Sequence, residues 1–176
     1  AKTQLDEARQ GRDKKNQAVV EVTGEIKVAQ DRLNEVDGKL NPEISEHLVG
    51  MGDGAKKGLS GIVDFLGEED RALVEAKVQE WQTADGREYR EDELKLQQGE
   101  ALRQLLAGNE IVGNNDFNAA ARDLFVGNLS AQPAESLTED QTTLLQKAQA
   151  DQETSKQIKQ TITDKQTELE TATENL

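Results

Sequence analysis

The chain has 176 residues, and its 35 acidic against 21 basic side chains leave a formal charge of −14. Apolar residues make up 34% and aromatics 3%, which is lean for one compact globule and ordinary where much of a chain is two-faced helix. With no cysteine and a single histidine, His47, the composition excludes disulfides, thiolate metal sites, thiol nucleophiles and most Ser-His or multi-His arrangements.

The chain opens on Ala1 without an initiator Met or a signal-peptide pattern, which reads as the start of a processed or excised segment. From Leu5, alternate steps of three and four meet Leu5, Ala8, Arg12, Lys15, Val19, Val22, Ile26, Ala29, Leu33, Val36 and Leu40. Only Arg12 and Lys15 break the apolar stripe. A seven-residue repeat held this long is the pattern of a coiled-coil seam, so residues 1–40 are read as a first coiled-coil arm. Asn41-Pro42 closes it, because asparagine caps a helix and proline begins the next.

Residues 41–135 differ in kind. They hold all five aromatic rings (Phe65, Trp81, Tyr89, Phe117 and Phe125), 11 of the 14 glycines, and 19 acidic against 9 basic groups. Large rings supply much of the area a small core needs, so a globular domain belongs here. A short helix through Val49 and a glycine loop from Gly50 to Gly54 are expected, then helices over 55–66, 68–84, 87–107 and 116–126. Gly86, Gly108 and Gly127 stand where helices stop. The expected core is Ile62, Phe65, Leu66, Leu73, Val74, Val78, Trp81, Leu94, Leu102, Leu105, Leu106, Ile111, Phe117, Leu124 and Phe125.

After Pro133, Ser136-Leu137-Thr138-Glu139 has the form of a capping box starting the last helix. The same stepping gives Leu137, Gln141, Leu144, Ala148, Asp151, Ser155, Ile158, Ile162, Lys165, Leu169, Ala172 and Leu176, so residues 136–176 are read as a second arm. If the two arms pair antiparallel from their inner ends, Leu40 meets Leu137, Val19 meets Ile158 and Leu5 meets Ala172. Arg12 and Lys15 then lie across from Lys165 and Ile162, which makes the outer end weak. The fold expected is all-α: a long antiparallel coiled-coil hairpin with a small multi-helix domain at its closed end.

Few residues point to chemistry. Residues 50–58 are glycine-rich with Lys56 and Lys57, yet they lack the Walker spacing, the following Ser or Thr and a preceding strand, and read as a turn. His47 with Glu43 and Glu46 offers too few ligands for a metal, and Asn114-Asn115-Asp116 reads as a helix cap. Glu68-Glu69-Asp70 and Glu91-Asp92-Glu93 lack the alternating oxygens and central glycine of a calcium loop. They are instead the candidate partner-binding residues, and Glu68-Glu69-Asp70 stands where a helix start favours anions.

Neither catalytic residues nor a cofactor are expected. The acid excess disfavours nucleic acid, and no apolar run approaches the roughly 18 residues of a membrane span. The function expected is a non-enzymatic protein-interaction module, a rod presenting an acidic helical domain to a protein partner or receptor, as in the binding segment of a larger bacterial toxin or secreted protein. The alternative is a structural subunit of an assembly such as a virion or secretion apparatus, self-associating along the rod.

Overall fold

A computed structural model describes residues 2–175. Among these the chain is all-helical, with seven α-helices, 83% of residues in helix and no strand. The first helix, α1, spans Lys2–Asp37 and the last, α7, spans Glu139–Glu174. Between them lie α2 (Pro42–Val49), α3 (Asp53–Ser60), α4 (Glu68–Asp85), α5 (Glu91–Ala107) and α6 (Asn115–Ser130). Two short 3-10 turns, Val63–Phe65 and Ala134–Ser136, complete the order. The chain divides into two compact units: residues through Val36 with those from Glu153 onward, and Asp37–Gln152.

In the first unit α1 packs against α7 as a helical hairpin. Val22, Ile26 and Ala29 are buried on α1, and Ser155 and Ile158 on α7, with Ile162, Lys165, Leu169 and Ala172 half-buried. These are the stripe residues the spacing selects. Their register differs from the expected one. Glu25, not Arg12, faces Lys165, with Nζ 2.6 Å from Oε2, a shift of thirteen residues along α1. The cause is that the opening turns of α7 are committed to the second unit, where Leu144 and Leu145 pack against a core that includes Ala148. A slip of nearly two heptads keeps both stripes facing each other. It also leaves Leu5, Ala8 and Arg12 exposed, so the continuous covered stripe of α1 begins near Ala18.

The second unit is built around α5, which packs against α2, α3 and α4, while α6 packs on α2. Leu48, Leu59, Leu102, Leu129, Phe117, Phe125 and Val74 are fully buried, each contributing about 1.5–3 kcal/mol of transfer free energy. Gly99 sets the closest approach: a Cβ there would run into the Lys56 carbonyl of α3. Of the fifteen expected core residues nine are buried, four (Trp81, Leu94, Ile111 and Leu124) are half-buried and two are exposed. Phe65 and Leu73 are exposed, because the turn Val63–Phe65 points Val63 inward in place of Phe65, and Val74 and Val78 carry the buried face of α4. Trp81 is half-buried against the core rather than enclosed.

The helix ends follow side-chain chemistry. Asn41 Oδ1 accepts the N–H groups of Glu43 and Ile44, with Pro42 behind it. Gly86 ends α4 at φ 69, a left-handed conformation that suits glycine. Gly127 does not stop α6, which runs on to Ser130 and thereby buries Leu129. The capping box of α7 is Thr138 with Gln141, not Ser136 with Glu139: Thr138 Oγ1 accepts from Gln141 N–H at 3.1 Å, and Gln141 Oε1 accepts from Thr138 N–H at 3.0 Å. Ser136 is spent in the preceding 3-10 turn, where its hydroxyl donates to the Pro133 carbonyl.

Candidate functional site

Glu68-Glu69-Asp70 opens α4 as expected; Glu91-Asp92-Glu93 opens α5, which begins at Glu91 and not at residue 87, and the six carboxylates have different surroundings. Glu68 and Glu69 are exposed, as are Glu91 and Asp92. Asp70 is 3% exposed and points inward. Its two oxygens accept the N–H groups of Val112, at 3.1 Å, and Gly113, at 2.8 Å, tying the α5–α6 connection to α4. Glu93 is half-buried and held by both guanidinium nitrogens of Arg87, at 2.6 and 3.0 Å, and that hydrogen-bonded pairing keeps its carboxyl below the usual carboxylate range. Beside it the Tyr89 hydroxyl donates to Asp85, which pushes the phenol up from its ordinary value, with burial adding to the shift.

The connection that Asp70 holds is fixed at several further points. Gly113 has φ 80, and a Cβ there would strike Asn118 Oδ1. Asn114 caps α6 by accepting Phe117 N–H at 2.8 Å, while its amide donates to the Phe65 carbonyl at 3.0 Å. One residue thus joins the turn before α4 to the start of α6. On this backbone two apolar side chains face solvent, Phe65 at 49% exposure and Val112 at 77%. Val112 also borders a groove of about 210 Å³ whose walls include Leu40, Pro42, Leu106 and Ile111.

A buried polar cluster lies in the same unit. Arg122 Nη1 is 2.6 Å from Asp37 Oδ1, and the Asn118 amide donates to the Asp37 carbonyl at 2.8 Å. Sequence reasoning missed it, because Asp37 looks like one more surface charge of a coiled-coil arm and its partners lie some eighty residues away.

The remaining candidates have structural surroundings. Lys56 and Lys57 lie within α3, so the glycine-rich stretch is largely helix and not an amide cradle. His47 Nε2 is 2.9 Å from Asn128 Oδ1, and its ring meets Phe125 edge-on at 5.1 Å. Among the described residues no group of three or more His, Cys, Asp or Glu side chains is placed to hold a metal ion, and no helix is long and apolar enough to cross a membrane. No protein-family model matches the chain, nor does any curated protein or solved structure.

Proposed function

We propose that the protein is a non-enzymatic interaction module in which the acidic unit, Asp37–Gln152, carries the contact surface for a protein partner or receptor. The α1–α7 hairpin, read as a coiled coil, supplies attachment and reach. The observation that carries the reading is a pair of apolar side chains exposed on a firmly held backbone. Asp70 and Asn114 fix the α5–α6 connection and tie it to the turn before α4, yet Val112 on the connection and Phe65 on the turn remain exposed, as do Glu68 and Glu69. Exposed apolar side chains rimmed by charge are a common property of contact surfaces. The acid excess sets partner selectivity and association rate.

The second reading, a structural subunit that packs against copies of itself, is favoured by Val20 and Val28, which stand 70% and 61% exposed on α1. A photo-crosslinking side chain placed singly at Glu69, Asp92 or Val28 of the full chain separates the two. Incubated in an extract of the cells that make it, the module captures another protein from Glu69 or Asp92 and not from Val28. Capture from Val28 alone, with the chain itself as the captured species, establishes the assembly.

A further inference from the structure

We infer that Phe65 and Val112 form the apolar centre of a docking surface for a basic protein segment carrying aliphatic side chains. This rests on the acidic unit being the partner-binding part and adds the place of contact and the chemistry of what it contacts.

Exposure alone says little, since single apolar side chains are common on any surface. What distinguishes this pair is the backbone beneath. A loop that merely tolerated Val112 in solvent would need no buried carboxylate, and enclosing Asp70 is costly unless its oxygens are well satisfied. Here they are, by two consecutive amides of the loop itself. Gly113 adds a conformation that other residues rarely adopt, against Asn118. Asn114 then fixes Phe65 through its carbonyl, so the turn and the loop are held together. Side chains presented on a fixed backbone lose less freedom when a partner covers them, which strengthens binding for a given contact area.

The choice of partner follows from charge. Glu68, Glu69 and Glu110 are exposed on the segments that carry the pair, and Asp64 adds a fourth carboxylate paired with Arg71 at 3.0 Å. The groove beside Val112 brings one cation, Lys39. The balance is negative, within a segment holding 19 acidic and 9 basic groups. A segment with lysines or arginines at its edges and aliphatic side chains between them matches this surface. An acidic segment is repelled by it.

The test uses the full chain, isotope-labelled for amide NMR, and two synthetic peptides of equal length, one of alternating lysine and leucine pairs and one with glutamate in place of lysine. The lysine peptide should shift the amides of Phe65, Val112 and Gly113, and its affinity should fall as salt rises. Phe65→Ser with Val112→Ser should weaken it about tenfold or more while leaving the remaining spectrum in place. Both positions are exposed, and the unchanged remainder of the spectrum reports that the variant is folded. Equal binding of the glutamate peptide overturns the inference. So does undiminished binding to the double variant, or a footprint confined to Glu91 and Asp92; that last outcome retains the acidic unit as a partner-binding part. If the lysine peptide shifts no amide of Asp37–Gln152, the docking surface and the broader reading both fail.

Discussion

Asp70 determines how the second unit presents its surface. Its carboxylate looks from sequence like the third member of an acidic helix start, and in the fold it reaches across to a loop some forty residues on. Hydrogen bonds to a charged acceptor contribute about 1.5–3 kcal/mol each, and a donor left without one loses more. Asp70→Ala should therefore lower unfolding stability by about 2–4 kcal/mol in urea. Amide exchange at Val112 and Gly113 should accelerate beyond what that global loss explains. Unchanged exchange at those two amides would mean that the loop is held by something other than Asp70. Glu68→Ala, two residues earlier and exposed, should change neither quantity appreciably.

At the scale of the helices, two glycines that look alike in sequence act in opposite directions. Gly99 faces the Lys56 carbonyl so closely that a methyl group must push α3 away from α5, whereas a Cβ at Gly127 meets nothing within 4 Å. Gly99→Ala should destabilise by about 3 kcal/mol, as overpacking does. Gly127→Ala, in the last turn of α6, should stabilise by roughly 0.5–1 kcal/mol through its helix propensity. Chemical denaturation of the two variants reads both signs at once, and equal effects would show that the α3–α5 approach is looser than described. Register is the other matter settled at this scale. Because the chain is cysteine-free, Glu25→Cys with Lys165→Cys should oxidise readily to a disulfide, while Arg12→Cys with Lys165→Cys should stay reduced. The reverse result restores the pairing expected from sequence.

That register shows why some of the fold was legible and some was not. From Leu137 to Ala172, every stripe position chosen by heptad stepping is buried or half-buried, because the period of a helix fixes which residues share a face. The same repeat leaves the pairing open to slips of whole heptads, and nothing local announces that the first turns of α7 serve a different core. Helix ends were readable where a side chain caps its own amides, as at Asn41, and misread where two hydroxyls compete, as at Ser136 and Thr138. The acidic start of α4 is visible in the sequence, whereas that of α5, expected four residues earlier, is not, and neither is the inward turn of Asp70, since a carboxylate's distant partners leave no mark on its neighbours. The size of Phe65 argues for the core, and a 3-10 turn puts it outside.

For the molecule as a whole, the two readings differ in what the isolated chain does with itself. An interaction module reserves its exposed apolar residues for another protein and has no need of copies. An assembly subunit buries Val20 and Val28 against them. Sedimentation equilibrium of the full chain over a wide concentration range at physiological salt tests this most directly. The module predicts a single species of 19.4 kDa at every concentration. A mass that climbs with concentration, and falls back to that of one chain when Val20→Glu and Val28→Glu are introduced, would contradict it.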